Sequence, residues 1–200
     1  FDMERREVLP YLPASVSRML DVGCGTGAST MMVRRERDVA WAGGIEFDPA
    51  SVATAAPRFD WLWTGDASVA PLEDHIAPES LDLILCLDVL EHLPDPWTLV
   101  DRLSTRLAPG GRLIISVPNI RNWKFIWRLF AKGDFHYRDS GLLDRTHLRF
   151  FVRETASALA AHGGLQVIVA RPAQTWNFPD FRWMMQKLTG NRIDGLIAKQ

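Results

Sequence analysis

The stretch Met19-Leu20-Asp21-Val22-Gly23-Cys24-Gly25-Thr26-Gly27 constrains this chain more than any other. An apolar strand pattern over residues 17–22 runs straight into glycines at 23, 25 and 27, and then into a helical pattern over residues 27–35. Glycines at such a junction let the backbone turn tightly and let a ligand lie against main-chain atoms. The spacing is G-x-G-x-G, whereas a dinucleotide fingerprint reads G-x-G-x-x-G or ends in alanine. Residue 28 is Ala, so the glycines alone leave a dinucleotide open. Asp21 discriminates, because a carboxylate at the mouth of the turn repels a pyrophosphate and suits a cationic group such as an α-amino group.

The same rhythm continues. A second strand is predicted over residues 40–47, and Asp48-Pro49 then opens a helix to residue 56, with proline at a first helical position. A short third strand lies near residues 61–63. The fourth, over residues 81–87, is nearly all apolar, as a strand buried on both faces should be. A helix over residues 96–107, a Pro109-Gly110-Gly111 turn and a fifth strand over residues 112–117 follow. The alternation then breaks and resumes with a helix over residues 153–162, a Gly-Gly stop and a sixth strand over residues 165–170. A further helical pattern covers residues 179–188. These elements predict one α/β domain over residues 1–200, a Rossmann-like, doubly wound and mostly parallel sheet. Residues 118–150 form a substrate-side helical insertion, and residues 171–200 an amphipathic helical segment. No seventh strand is legible: residues 193–200 stop where one would begin, so either the chain is cut or the sheet is one strand short.

Acids punctuate the predicted strand ends. Glu46, in Gly44-Ile45-Glu46-Phe47-Asp48-Pro49, ends the second strand, where a carboxylate can accept both hydroxyls of a ribose. Asp66, in Gly65-Asp66-Ala67, follows the third and can accept from an exocyclic amine such as that of adenine. The plainer alternatives are a solvated acid at Glu46 and an Asp turn at Asp66. The segment from Leu87 and Asp88 through Glu91-His92-Leu93-Pro94-Asp95-Pro96 borders the switch point, where open α/β sheets bind ligands.

Composition narrows the function classes. A net charge of −1 supplies no global positive field for nucleic acid. No N-P-P-Y motif for gripping a flipped base is present. Two cysteines, Cys24 and Cys86, exclude a disulfide scaffold, and no Cys/His spacing fits structural zinc. No apolar run reaches the roughly 18–20 residues of a membrane span, and no secretory signal is legible, so a reducing cytoplasm is expected. The chain opens on Phe1 rather than Met, which reads as a trimmed chain. Its aromatics are apolar, eight Trp and ten Phe against two Tyr.

In this order and spacing, LDVGCGTG, GIEFDP, GDA, LDVLEHLPDP and APGGRLIISVPN resemble the class I S-adenosylmethionine-dependent methyltransferases, over residues 19–170. The LEHLPDP segment is similar to the ubiquinone-methyltransferase-like branch. The run Asp144-Arg145-Thr146-His147-Leu148-Arg149-Phe150-Phe151 is similar to bacterial members associated with surface-glycan or lipid pathways. The resemblance implies S-adenosyl-L-methionine as cofactor. It implies Asp21 near the methionyl amino group, and the backbone of Gly23, Cys24 and Gly25, with Gly27 closing the loop, against the methionine part. It implies Glu46 on the ribose, Phe47 beside the adenine, Asp66 and Ala67 at the adenine, and Leu87 and Asp88 along the methionine chain. Cys24 reads as packed rather than reactive.

Methyl transfer from a sulfonium asks mainly for proximity and alignment, while an oxygen nucleophile also needs a base or a low pKa of its own. His92 and His147 are the candidate bases, His147 with Asp144 and Arg145 beside it to orient and tune it. A helix-end role for His92 and a bracing role for His147 are the alternatives. No D-x-x-H-type metal arrangement like that of the catechol enzymes stands out, so metal independence is expected. The acceptor reads as a small molecule, a glycan or a lipid-linked intermediate. In the insertion, Trp123, Ile126, Trp127 and Phe130 share one helical stripe, with Lys124, Arg128 and Lys132 opposite. Phe181, Met184, Met185 and Leu188 repeat the scheme near the C-terminus. Three readings stay open: helices packed on the domain, a hydrophobic lid over an acceptor pocket, or a basic amphipathic surface resting on a membrane. The rival functions are a cofactor-binding subunit without transferase activity and an NAD-dependent oxidoreductase, the latter disfavoured by Asp21 and by GDA.

Overall fold

The computed structural model describes residues 3–171 and 196–199. The predicted segment over residues 179–188 lies outside them. The described strands form one sheet in the order β3-β2-β1-β4-β5-β7-β6. These are β1 (Arg18–Val22), β2 (Trp41–Glu46), β3 (Trp61–Thr64), β4 (Leu81–Leu87), β5 (Leu107–Ser116), β6 (Gln166–Ala170) and β7 (Leu196–Lys199). The first five pair in parallel, β1 lying between β2 and β4. Chain order reverses between β1 and β4, which makes the carboxyl edge of those strands the topological switch point.

The helices are α1 (Ala28–Glu36), α2 (Pro49–Ala55), α3 (Leu72–His75), α4 (Pro96–Ser104), α5 (Trp123–Lys132) and α6 (Arg153–His162). Strand periodicity divides the core between the two faces of the sheet. Leu20, Val22, Ile84, Cys86, Leu113 and Ile115 share one cluster with Leu99, Val100 and Leu103 of α4 and Leu159 of α6. Met19, Leu83, Leu85 and Ile114 share the other with Met32 and Val33 of α1. Val8 and Leu12, in and just after a 3-10 turn at Arg6–Tyr11, complete that second cluster, so the N-terminal segment is part of the core. β4 is buried on both faces, which explains its unbroken apolar sequence.

Three expectations are corrected. The seventh strand exists: β7 slots antiparallel between β5 and β6, pairing Arg112 with Lys199 and Gln166 with Lys199 on its two sides. Four residues bracketed by Gly195 and Gln200 leave little periodicity to read. The fifth strand starts at Leu107 rather than residue 112. Leu81 pairs with Leu107 and Leu83 with Arg112, so residues 108–111 bulge out of the ladder. Gly111 sits where a Cβ would lie 2.7 Å from the Leu81 carbonyl oxygen, so the strands approach closely only because that side chain is absent. The helix expected to run to residue 107 ends at Ser104, and Leu107 already pairs with Leu81 in β5.

Candidate cofactor and acceptor site

Parallel pairing brings the loops after β1, β2, β3 and β4 to one edge. The glycine loop is tied to the end of β2 by its own backbone: Gly23 N–H and Cys24 N–H both donate to the Ile45 carbonyl, at 2.8 and 3.0 Å. Gly23, Gly25 and Gly27 have φ of 70°, 54° and 84°, the left-handed region that non-glycine residues rarely enter. A Cβ on Gly23 would fall 2.3 Å from Cγ2 of Val89, in the loop after β4. Glycine therefore lets the β1 and β4 loops close on each other around an open backbone surface.

Glu46 is the second fixed point. One carboxylate oxygen accepts from Gly25 N–H at 2.7 Å and the other from Asp48 N–H at 2.9 Å. The side chain is thereby oriented at the mouth of the loop, with acceptor capacity left over on both oxygens. Phe47 beside it is 75% exposed, a ring without a cover. Asp48 caps α2 through Ala50 N–H and Ser51 N–H. Asp66 is exposed at the end of β3 and accepts from Ser68 N–H at 2.8 Å, with Ala67 buried behind it. The Asp-turn alternative thus describes its local geometry, and its second oxygen is directed by the same turn.

Asp21 lies beneath the loop, buried, with Thr30 Oγ1 donating to it at 2.6 Å. Burial, assisted by the negative charge of Glu46, pushes its carboxyl up to about 7 against the hydrogen bond from Thr30. A cation brought to this loop would favour the ionised form. Cys24 is buried and its thiol is raised by burial and by the two acids, in keeping with a packing role.

Around the expected Leu87 and Asp88, the structure adds Arg5, Ser116 and Glu91, which the sequence reading did not single out. Asp88 has φ of 58° and accepts from Ser116 Oγ at 3.0 Å and from the Arg5 guanidinium. Arg5 also donates to Ser116 Oγ at 3.0 Å. The N-terminal segment thus crosses to the methionine end of the expected cofactor site, and nothing before Met19 in the sequence signals it. Leu87 is buried at the end of β4. Glu91 follows within a 3-10 turn at Leu90–His92 and is 1% exposed, with no hydrogen-bond partner for either carboxylate oxygen.

His92 and His147 come together as a T-shaped ring pair, centroids 4.8 Å apart. His147 is buried, with Nδ1 3.1 Å from the Leu142 carbonyl. His92 is exposed, with Nδ1 3.3 Å from the Thr146 carbonyl and 3.1 Å from Thr146 Oγ1. The insertion carrying His147 is pinned at both ends. Ile120 N–H donates to the Phe151 carbonyl at 2.9 Å, and Leu148 N–H and Arg149 N–H donate to the Glu91 carbonyl at 2.7 and 2.9 Å. Between those anchors, α5 is capped by Asn122 and ended by Gly133 at φ of 62°. Its inward residue is Phe125, which meets Phe135 edge to face. The expected stripe turns outward, with Trp127 61% and Phe130 87% exposed. Arg128 on the other side pairs with Asp134, which also takes His136.

The open glycine backbone, the oriented Glu46 carboxylate and the buried acid below fit S-adenosylmethionine: a main-chain surface for the methionine part, a two-oxygen acceptor for a ribose diol, and a carboxyl whose ionisation a cationic amino group would favour. Comparison with known proteins agrees. A methyltransferase-domain family matches residues 4–170. A ubiquinone biosynthesis O-methyltransferase of Xylella fastidiosa is 34% identical over 142 residues, covering 64% of this chain and 56% of that protein. The chain therefore spans a little over half the length of that relative. An Archaeoglobus fulgidus S-adenosylmethionine-dependent methyltransferase superposes with a TM-score of 0.66 at 18% identity, covering 98% of this chain and 90% of that one. A cyclase, SpnF, superposes at 0.64 with 20% identity, covering 95% and 76%. At such identities the likeness is one of fold. With the family match over most of its length, the chain belongs to the class I S-adenosylmethionine-dependent methyltransferases.

Proposed function

We propose that this protein transfers a methyl group from S-adenosylmethionine to an oxygen of a small-molecule, glycan or lipid-linked acceptor. The observation that carries the reading is the Glu46 carboxylate, held by Gly25 N–H and Asp48 N–H at the mouth of the glycine loop. When bound, the cofactor would supply an activated methyl group for an acceptor oxygen. The chain's own tasks are binding and alignment. In this reading Glu46 takes the ribose hydroxyls, and Asp66 and Ala67 meet the adenine with Phe47 alongside. Gly23, Cys24, Gly25 and Gly27 offer backbone, Asp21 balances the amino group, and Leu87 and Asp88 flank the methionine chain. His92 and His147 stand at the acceptor side, where an oxygen nucleophile must lose a proton.

The exposed face of α5 supports an apolar acceptor. Trp127, Phe130 and Ile126 present an outward stripe within an insertion whose ends lie against Glu91 and Phe151. Among the described residues no helix is long and apolar enough to cross a membrane. Contact with a membrane would therefore be made from its surface.

The test is formation of S-adenosylhomocysteine in the presence of candidate phenols, glycans and lipid-linked acceptors. Acceptor-dependent product supports transfer; tight cofactor binding without product across these classes favours the non-catalytic reading. His147→Ala is expected to lower turnover at least about tenfold with cofactor affinity nearly unchanged, within the range of general-base effects. Unchanged turnover removes His147 as a base.

A further inference from the structure

We propose that Thr30 is a positioning residue for the cofactor: its hydroxyl fixes the Asp21 carboxyl beneath the glycine loop as the partner of the cofactor's amino group, and cofactor capture expels a proton from Asp21. The inference rests on the reading of Asp21 as the residue that balances that amino group. Three observations carry it.

The first is where the sheet puts Asp21. Alternation along β1 gives it the face of Met19, which α1 covers with Met32 and Val33. Its register partners are Gly44 on β2 and Leu85 on β4, neither of which carries a polar side chain. Asp21 is buried there. A carboxyl group so placed depends on the helix above it for a donor.

The second is how α1 supplies that donor. Thr30 stands in the first turn of α1 and is fully buried, with Oγ1 donating to Asp21 Oδ2 at 2.6 Å. A threonine in a helix can instead turn its hydroxyl back to a carbonyl one turn earlier. Here those carbonyls are in use. The Thr26 carbonyl accepts from the Arg58 guanidinium at 2.8 Å, and the Gly27 carbonyl from Met31 N–H at 3.0 Å. The single hydroxyl hydrogen of Thr30 goes to Asp21. Since α1 begins directly after Gly27, the turn that ends the glycine loop also holds this hydroxyl.

The third is the company of the carboxyl. The titratable groups that face Asp21 are Glu46 at the end of β2, Cys24 in the loop and Cys86 on β4; none of these three is a cation. Burial, with the charge of Glu46, pushes the carboxyl up to about 7, and the hydrogen bond from Thr30 acts the other way, favouring the ionised form. A cationic amino group supplies the counterion that these neighbours do not. As Asp21 takes it, the carboxyl O–H bond breaks, the electron pair stays on oxygen and the proton leaves to solvent. Thr30 sets how readily that exchange occurs.

The experiment measures S-adenosylhomocysteine affinity and proton release by isothermal titration from about pH 6 to 9, in two buffers of different ionisation enthalpy. The wild-type chain is expected to release close to one proton per cofactor near pH 6, and progressively less above about pH 7. In Thr30→Val, which keeps the shape and removes the hydroxyl, affinity should fall about tenfold on the acid side and converge on the wild-type value toward about pH 9. The midpoint of binding then lies about one pH unit higher. Thr30→Ala should behave in the same way, so the test stands even if valine is not tolerated. Thr30→Ser should return to within about threefold of the wild-type affinity. In an Asp21→Asn background, Thr30→Val should alter affinity by less than about threefold. Wild-type binding without proton release overturns the proposal. So does a loss that is the same at every pH in both hydroxyl-free variants, or a Thr30→Ser that binds as poorly as they do. Asp21→Asn that binds as tightly as the wild-type chain at about pH 8 sinks the reading of Asp21 itself, whereas a weakened Asp21→Asn beside silent Thr30 variants sinks only the role of Thr30.

Discussion

The edge formed by the loops after β1 to β4 and the insertion over residues 118–150 are built on different principles. At the edge, main chain holds main chain: Gly23 and Cys24 donate to Ile45, and Gly25 donates to Glu46. Little there depends on the size of a side chain, except that three glycines have none. The insertion is held at its ends, by Phe151 and by the Glu91 carbonyl, and between them it presents Trp127 and Phe130 outward. The first region requires fixed residue types at fixed spacing, because left-handed φ and a strand-end carboxylate have few chemical solutions. The second requires only an amphipathic face and two anchors, which many sequences supply. The first region is therefore legible as a motif, and the second only as a surface.

That contrast can be broken at its strongest point. Gly23→Ala puts a Cβ at φ of 70° and 2.3 Å from Val89. Left-handed backbone alone costs about 1–2 kcal/mol, so a combined loss above about 2 kcal/mol in cofactor affinity or stability is expected, read by calorimetry and thermal melting. A silent Gly23→Ala would show that the loop tolerates side chains after all.

A smaller effect concerns the buried acids of the edge. Asp21 is raised to about 7 and Glu91 to about 8, chiefly by burial. In each case the folded chain keeps a proton that the unfolded chain has released, so the contribution of these two groups is fully present below about pH 4 and is lost as pH rises. The fall spans roughly pH 4 to 8, by up to about 1.4 kcal/mol per pH unit per group inside its own window. Denaturant unfolding without cofactor should show it. Asp21→Asn, which can still accept from Thr30, should flatten the lower part of the curve; a wild-type profile that rises over this window contradicts these protonation states.

The smallest effects belong to the insertion. Trp127→Ser with Phe130→Ser should change stability by no more than about 0.5 kcal/mol, as exposed positions do, and leave cofactor affinity untouched. Binding to anionic liposomes at low salt should fall severalfold, measured by co-sedimentation. Wild-type protein that never sediments with anionic liposomes removes the membrane-surface reading, and a large loss of stability would show the stripe to be packed.

The same contrast explains what could be read in the sequence. β4 was legible to the residue because two buried faces leave an unbroken apolar run, and α6 because a Gly-Gly stop follows it. The glycine loop, Glu46 and the Asp66 turn announced themselves through turn chemistry. β7 did not, since four residues carry almost no periodicity, and the β5 bulge was masked by a Pro-Gly-Gly run that reads as a turn. Arg5 reaches Asp88 across 83 positions of sequence, a juxtaposition that only the folded sheet creates. Glu91 stood in plain view within the segment after β4, yet its burial and unused oxygens are properties of packing. Which face of α5 turns outward was likewise fixed by Phe125 and its partner Phe135.

The central claim is that the oriented Glu46 carboxylate makes this edge a site for S-adenosylmethionine. Isothermal titration of the wild-type chain and Glu46→Ala with S-adenosylhomocysteine and with NAD tests it most directly. The account predicts S-adenosylhomocysteine binding by the wild-type chain, no comparable NAD binding, and a loss of about 1.5–3 kcal/mol in the variant, the usual worth of a hydrogen bond to a charged group. Binding of NAD alone, or equal affinity of the two proteins for S-adenosylhomocysteine, would contradict it.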